Sequence, residues 1–522
     1  WAEVLRLERV GIHDNFFEMG GDSITCMKVV ARMNRAGLRL SLKNLFDGPT
    51  VAQLAARIGE IGDVVIEQPE RAASRASASY NQTSAWMSEL SEQAEDVYPL
   101  SPMQQGMLFH SIYSGDSSAY VEQFSWELTG TVDLCAFKRA WDYVIASHPA
   151  LRTGFIWEEL EEPLQVVYPY VELPFEQYDW RELSPDEQAE RLDAYIQSKQ
   201  LNGAFTLSRP PLQTLAYFQL ADEQHHFVWS YHHLIMDGWS QGLVLNEVRA
   251  IYEALCEGRD IGSPVGRPYR PYIEWLSRTD VAAAEAYWRL TLKDFNGPTT
   301  LQLGRSGEPS TPDHESYEHQ QIFLSEETTN ALRVTARENQ LTLNTLVQGA
   351  WAILLSRYSG EEDVAFGSVT AGRPVELTGS ESTVGMFINT LPIRISVPPE
   401  APALSWLKDL QSRQAELIQY SYSSLVHVQK WSGMAPGSRL FDHFLVFENY
   451  PGADEGAWRG TDWPALHTGY PFYVLVKPGA ELSLKIVFDR NQYDATAVMR
   501  LLENFRVLLE GVSARADEKL GE

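Results

Sequence analysis

Over the first 62 residues, apolar positions recur at helical spacing in two stretches, Ser23 to Ala36 and Val51 to Ile58, set among loops rich in Gly, Asn and Asp. A unit of about 60 residues buries only a small core. The pattern therefore predicts a marginal all-helical domain. Between residues 63 and 95 no apolar period is sustained, and the run Pro69-Glu70-Arg71-Ala72-Ala73-Ser74-Arg75-Ala76-Ser77-Ala78-Ser79 reads as a linker. From Val97 onward the texture is that of an α/β protein. Gln213 to Tyr217 and Phe227 to His233 alternate in polarity or bulk and predict strands. Val244, Val248, Ile251, Tyr252 and Leu255 follow at helical spacing. Phe323-Leu324 leads into a long helix over Thr342 to Tyr358, and a last helix covers Ala495 to Leu509. Phe472 to Val476 and Glu481 to Phe488 flank Pro478-Gly479, a type II turn signal joining two strands. The stretch from Val97 onward exceeds one ordinary core, so two lobes are expected, with a break near residues 258–285. No repeat of fixed period interrupts this plan.

Composition narrows the class. Hydrophobic residues make up 44% and aromatics 11%, enough for large cores, so wholesale disorder is excluded. Lys plus Arg number 42 against 70 Asp plus Glu, a formal charge of −28. That acidic excess argues against nucleic acid, where binding rests on neutralising phosphates, and against anionic membrane surfaces. The three cysteines, Cys26, Cys135 and Cys256, form no CxxC pair, so neither a disulfide scaffold nor a zinc ribbon is supported. The longest uncharged run, Asn339 to Ser356, is broken by Asn, Gln and Thr and reads as an amphipathic helix rather than a membrane span. Trp1-Ala2-Glu3-Val4-Leu5 lacks the basic start and apolar run of a signal peptide. A cytoplasmic, reducing location is expected. The chain opens inside a helical pattern without an initiator Met, so it is expected to be part of something longer.

Two segments carry candidate chemistry. In Asp14-Asn15-Phe16-Phe17-Glu18-Met19-Gly20-Gly21-Asp22-Ser23-Ile24 a loop ends and a helix begins, and the paired glycines leave the Ser23 hydroxyl unobstructed. A hydroxyl there faces free N–H groups and the positive end of the helix dipole, a seat suited to a phosphodiester. Taken alone, Asp22 or Ser23 also reads as a plain N-cap. The second segment is Tyr231-His232-His233-Leu234-Ile235-Met236-Asp237-Gly238-Trp239-Ser240. If 227–233 is one strand, Phe227, Trp229, Tyr231 and His233 share a face and His232 points to the other. Asp237-Gly238 makes a turn and Ser240 caps the next helix. His233 then sits beside a turn and a positive helix end, and both burial and that dipole favour a neutral imidazole able to accept a proton. A lone strand histidine is also a common satisfied core residue. The cluster of His225, His226, His232 and His233 raises a metal, but strand neighbours point to opposite faces and no carboxylate or Cys ligand stands at a recognisable spacing, so no metal is expected.

The surroundings of these segments resemble a known family. Residues 1 to about 62 resemble a peptidyl carrier domain of a nonribosomal peptide synthetase, lacking only the first turn of its opening helix. The resemblance implies a small four-helix domain with 4′-phosphopantetheine carried on Ser23. Five further segments resemble condensation-domain motifs in family order: Tyr98-Pro99-Leu100-Ser101-Pro102-Met103-Gln104-Gln105-Gly106-Met107-Leu108-Phe109-His110, then Ser147-His148-Pro149-Ala150-Leu151-Arg152-Thr153, Tyr269-Arg270-Pro271-Tyr272-Ile273-Glu274-Trp275, Val384-Gly385-Met386-Phe387-Ile388-Asn389-Thr390 and Ser438-Arg439-Leu440-Phe441. The HHxxxDG pattern of residues 232–238 stands among them. This resemblance implies a large α/β domain of two chloramphenicol-acetyltransferase-like lobes, spanning residues 96–270 and 271–522, with carrier arms meeting at His233. It makes His233 the catalytic candidate, with His232, Asp237 and Gly238 supporting it. Asp237 is expected to be held by an arginine, Arg373 being the candidate. Arg152 reads as a structural ion pair or cap, and for Asn389 function and packing weigh evenly.

The segment after the fifth motif often starts with His-Gln in this family, whereas Tyr420-Ser421-Tyr422-Ser423-Ser424-Leu425-Val426-His427-Val428-Gln429 stands here. Together with the Ser101-Pro102-Met103-Gln104 wording this looks like the subtype that accepts D-configured donors. No epimerisation domain lies between the two units, so the stereochemical subtype stays open. The expected function is peptide-bond formation between a thioester on the Ser23 arm and the amine of an aminoacyl group on a downstream carrier. Adjacent adenylation and carrier domains and a phosphopantetheinyl transferase are the implied partners, in antibiotic or siderophore biosynthesis. The alternatives are an epimerisation or dual epimerisation/condensation domain using the same HHxxxDG site, and a silent recruitment domain. The last would be expected to lose the second histidine, which this chain keeps.

Overall fold

A computed structural model describes residues 1–5, 7–16, 19, 25–26, 29–30, 32–33, 36, 38, 44–45, 48–60, 94–114, 119–158, 160–201, 205–304, 317–435, 437–449, 468–514 and 518–521. Within the small N-terminal unit, helices span Ala2–Leu5 and Val51–Glu60. Phe16, Cys26, Val29, Val30, Leu45 and Leu54 form its buried cluster, joined by Phe109 from the next domain. Arg32 donates to Glu3 at 3.0 Å and pairs with Glu161 of the large domain at 3.1 Å. The segment expected to be helical from Ser23 to Ala36 is helical at Thr25, Cys26, Val29, Val30, Arg32 and Met33; Ser23 itself lies outside the described residues. So do residues 61–93, which include most of the linker. Glu95, placed at the end of that linker by the sequence, belongs to the large domain instead. Its N–H donates to Val167 O at 2.8 Å, and its carboxylate accepts from Arg152 at 2.6 Å.

The N-terminal lobe is built from β1 (Asp96–Pro99), β2 (Val121–Thr129), β3 (Thr153–Ile156), β4 (Leu164–Val167), β5 (Phe175–Asp179), β6 (Gln213–Ala221) and β7 (Gln224–His232). Strands β2, β7, β6 and β5 make one sheet in that order, and β1, β4 and β3 a second. In β2 and β7 the registered pairs Trp126↔Phe227, Phe124↔Trp229 and Glu122↔Tyr231 share one face, because side chains alternate with period two. Trp126, Phe227 and Trp229 on that face join Phe137 and Trp141 of the helix Leu134–Ser147 in the core, and Asp133 caps that helix. The helix Gly238–Cys256 covers the same sheet through Val244 and Val248.

The second lobe has a six-stranded sheet in the order β10-β9-β11-β12-β13-β8, from β8 (Tyr317–Leu324), β9 (Asp363–Thr370), β10 (Asn389–Ser396), β11 (Phe444–Phe447), β12 (Phe472–Lys477) and β13 (Leu482–Asp489). The helix Leu343–Ser359, capped by Thr342 and ended by Gly360 at φ +76°, is apolar over most of its circumference and is buried accordingly. The helix Ala495–Ala514 packs beside it. A further helix, Glu326–Glu338 capped by Ser325, intervenes where the sequence led straight from Leu324 to the long helix. β12 and β13 pair antiparallel as expected from their alternation. Gly479 is not among the glycines at positive φ, so the turn between them is not the type II turn its Pro-Gly suggested. The helix Arg270–Leu276 packs Tyr272 and Ile273 with Tyr98 and Val167 of the first lobe. The same cluster holds Phe387, so this helix touches both halves of the chain. Among the described residues no helix is long and apolar enough to cross a membrane.

Candidate active site

β7 ends at His232, and His233–Ile235 form a single 3-10 turn before Asp237 caps the helix Gly238–Cys256. His233 thus sits one residue beyond the strand on which the sequence put it. Turning the chain there frees its ring from the sheet face. The His233 N–H donates to Tyr120 O at 2.8 Å, and Nδ1 lies 2.7 Å from Met236 O. A carbonyl only accepts, so that contact places a proton on Nδ1 and leaves Nε2 as the working nitrogen. Nε2 lies 3.3 Å from Glu122 Oε1, with side chains 9% and 18% exposed. The Tyr231 hydroxyl donates to the other oxygen of Glu122. With Nδ1 protonated, the Nε2–carboxylate contact is attractive only with one proton between the two groups.

Asp237 anchors the other side of the turn. Its Oδ1 accepts from Ser240 N at 2.8 Å and from Arg373 Nη2 at 3.1 Å, and its Oδ2 accepts from Phe387 N at 3.0 Å. Asp237, not Ser240, is therefore the helix cap. The Ser240 hydroxyl instead donates to Gly385 O at 2.8 Å and accepts from Arg373 Nη2 at 2.8 Å. Arg373 also donates to Ser380 O and Thr383 O and lies 4.1 Å from the Phe387 ring centroid. Val384, Met386 and Ile388 from this same segment sit in the core of the first lobe. The two glycines are fixed by close approach. A Cβ on Gly385 would stand 2.2 Å from Tyr269 Cδ2, and one on Gly372, at φ +61°, 1.8 Å from Phe387 O.

His232 faces the opposite way, fully buried, with Nδ1 accepting from Leu234 N at 3.2 Å. Burial, with a smaller push from neighbouring His233, drives its pKa down to about 3. His225 bonds Tyr217 and Gly130, while His226 faces Glu127, so the four histidines do not converge. Arg152 is buried and donates to Ile145 O at 3.1 Å, to Tyr168 O and to Glu95. Its contacts tie a helix end to the domain's first residues. Asn389 Nδ2 donates to Ser421 O at 2.8 Å and Ser423 O at 2.7 Å, fixing the loop after the helix Ala403–Gln419.

Two carboxylates went unread in the sequence. Glu122 comes beside His233 through the β2–β7 register. Glu448, just past β11, has its pKa pushed up to about 7, chiefly by burial, against Lys477, with Glu122 adding to the rise and Lys485 opposing it. Glu448 is only partly covered from solvent.

The chain matches the condensation-domain family profile over residues 94–522 and the phosphopantetheine attachment site over residues 1–58. It is 42% identical over 446 residues to one of the linear gramicidin synthase subunits of Brevibacillus parabrevis, an alignment covering 82% of this chain and 9% of that protein. It is 33% identical over 443 residues to surfactin synthase subunit 3 of Bacillus subtilis (strain 168), covering 83% and 34%. The chain thus spans a small part of the length of these relatives. Among solved structures it resembles the first condensation domain of the calcium-dependent antibiotic synthetase in complex with a substrate analogue (TM-score 0.69, 18% identity, covering 82% of this chain and 99% of that one). The starter condensation domain of rhizomide synthetase RzmA is similar at TM-score 0.68 and 21% identity, covering 81% and 96%. With a phosphopantetheine attachment site ahead of it, this chain belongs to the condensation-domain family of nonribosomal peptide synthetases, the amide-bond-forming acyltransferases.

Proposed function

We propose that this chain joins a donor acyl thioester held by its own carrier unit to the amine of an aminoacyl acceptor on a downstream carrier, with His233 as the working group. The observation that supports this most directly is the orientation of His233, tied by Nδ1 to Met236 O so that Nε2 is turned away from the backbone. Ser23 is the proposed attachment point. The residues present fit a phosphodiester: in the sequence Ser23 follows Gly20-Gly21-Asp22, and the chain is helical at Thr25 and Cys26. When bound, the cofactor supplies a thiol on a long flexible arm. His233 orients the attacking amine or takes its proton as the C–N bond forms and the C–S bond breaks. Holding two tethered reactants together supplies much of the rate. Asp237 and Arg373 fix the turn that carries His233. An adenylation domain and a phosphopantetheinyl transferase are the partners this chemistry requires.

The test is to load Ser23 with an aminoacyl-pantetheine, add an acceptor-loaded carrier and follow the dipeptide by mass spectrometry. Dipeptide that depends on Ser23 and His233 supports the reading, and its absence overturns it. Epimerisation is the second reading, because it needs two acid–base groups and Glu122 stands beside His233. Entry of solvent deuterium at the donor Cα without amide formation would favour it.

A further inference from the structure

Resting on the condensation reading, we propose that Gln104 is a positioning residue for His233, holding the turn that carries it. Gln104 lies in the first turn of the helix Pro102–Ser114 and is 2% exposed. With Ser101 it forms a capping box: its N–H donates to Ser101 Oγ at 3.3 Å, and its Oε1 accepts from Ser101 N at 2.9 Å. A backbone N–H only donates, so that contact fixes which end of the amide is oxygen. Nε2 is thereby turned to the Leu234 carbonyl, 3.0 Å away. Leu234 is fully buried, in the middle of the 3-10 turn His233–Ile235. In that turn Met236 N bonds His233 O and Asp237 N reaches Gly385 O, while the side chain of Gln104 engages Leu234 O. Buried Gln165 braces the amide, its Nε2 donating to Gln104 Oε1 at 3.1 Å and to Pro99 O at 2.8 Å. Capping alone does not call for an amide. A glutamate completes the same box, and its charge suits the positive end of a helix better. A carboxylate has no donor for Leu234 O, whereas the amide has one. The N–H of His233 is tied to Tyr120 O, and Asp237 fastens the far end of the turn. Gln104 adds a third point, from a different helix, that fixes where the imidazole stands.

The test compares Gln104→Met with Ser101→Ala in the whole chain. Both break the capping box, but only Gln104→Met removes the donor to Leu234 O. Hydrogen exchange, read by mass spectrometry on the peptide spanning His233–Ser240, should speed up about tenfold or more in Gln104→Met. It should stay near the wild-type rate in Ser101→Ala, with β13 as the reference for overall stability. Dipeptide formation at varied acceptor concentration should show kcat lowered about ten- to a hundredfold in Gln104→Met, because a displaced imidazole slows the transfer. KM for the acceptor should stay within about twofold, since its binding contacts are untouched. Ser101→Ala should keep its kcat. Gln104→Glu, assayed at pH 8 so that its carboxylate cannot donate, keeps the cap and should repeat the behaviour of Gln104→Met even if that variant does not fold. An unchanged exchange rate at the turn, a rise matched in β13 or in Ser101→Ala, or a loss carried by KM instead of kcat overturns the positioning role. Failure of the wild type to form dipeptide removes the condensation reading, whereas exchange at the turn judges Gln104 by itself.

Discussion

Arg373, in the C-terminal half of the chain, holds the fully buried carboxylate of Asp237 at 3.1 Å, and its own side chain is only 5% exposed. The pair closes a circuit through Ser240 and Gly385, so the turn that bears His233 is fastened to a segment from the other half of the chain. Such a pair contributes little net stability by itself, because both ions have lost water. Breaking it is costly, because the survivor is left charged and unpaired.

Asp237→Ala strands Arg373 and leaves the N–H groups of Ser240 and Phe387 without their acceptor. The expected loss is about 3–5 kcal/mol, read as a lower urea midpoint. Amide formation falls with it, since the His233 turn loses its anchor. A midpoint equal to wild type would show that the circuit is not what fastens the turn.

Gly385→Ala tests the same junction from the opposite side without touching a charge. The added methyl meets the Tyr269 ring, whose hydroxyl donates to Met386 O, so the backbone around Gly385 O must shift. Overpacking of this kind costs about 1–3 kcal/mol. Activity should fall more than stability suggests, because Gly385 O accepts from both Asp237 N and the Ser240 hydroxyl. Chemical denaturation and a dipeptide assay on one preparation check both halves of this statement.

The row Phe227, Trp229, Tyr231 was legible because period-two alternation is a local property of one strand. His233 was misplaced by one residue for the complementary reason: a strand's end is decided by the next turn, here closed by Asp237. The helix Glu326–Glu338 escaped notice because its buried positions are Thr329, Leu332 and Ala336, a weak apolar stripe. Glu122 carries no local signal at all. Only the pairing of β2 with β7, a contact between residues far apart in sequence, brings its carboxylate to His233. The contact of Arg373 with Asp237 was expected through the family resemblance alone, since no local pattern carries it and it depends on how the two halves of the chain meet.

Acid should destabilise the large domain above the ordinary carboxylate range, because two buried histidines outweigh the carboxyl of Glu448, raised to about 7. Burial pushes the pKa of both His232 and His443 down to about 3. In the unfolded chain these rings protonate near their ordinary value of about 6.5, while the folded rings stay neutral. The unfolded state therefore binds more protons below that value, and stability falls as pH drops from about 6.5 toward about 3. The slope is about 1.4 kcal/mol per pH unit for each ring. His443→Gln removes one of the two groups. Whatever its baseline stability, its loss between pH 6.5 and pH 5 should be shallower than that of wild type. Parallel curves would show that His443 is not protonated on unfolding in this range.

His233 and His232 are adjacent in sequence, and their alanine variants should fail in different ways. His233→Ala removes the Nδ1 bond to Met236 O and the Nε2 contact with Glu122, which keeps the Tyr231 hydroxyl on its other oxygen, so about 1–3 kcal/mol should be lost. Dipeptide formation should drop about 10²- to 10⁴-fold, the usual contribution of a positioned proton-transfer group. His232→Ala empties a fully buried site and leaves the Leu234 N–H without its acceptor, so roughly 2–4 kcal/mol should be lost. Its activity, measured well below its melting temperature, should be closer to wild type than that of His233→Ala. Ser23→Ala completes the set, since it should accept no phosphopantetheine by mass spectrometry and yield no dipeptide from its own carrier. Given a donor as a free pantetheine thioester, Ser23→Ala should regain activity, because its His233 is untouched. His233→Ala should not regain it, because a free donor does nothing to replace the missing imidazole. Full activity of His233→Ala with a weakly nucleophilic acceptor would mean that bringing the two substrates together is the whole of the catalysis.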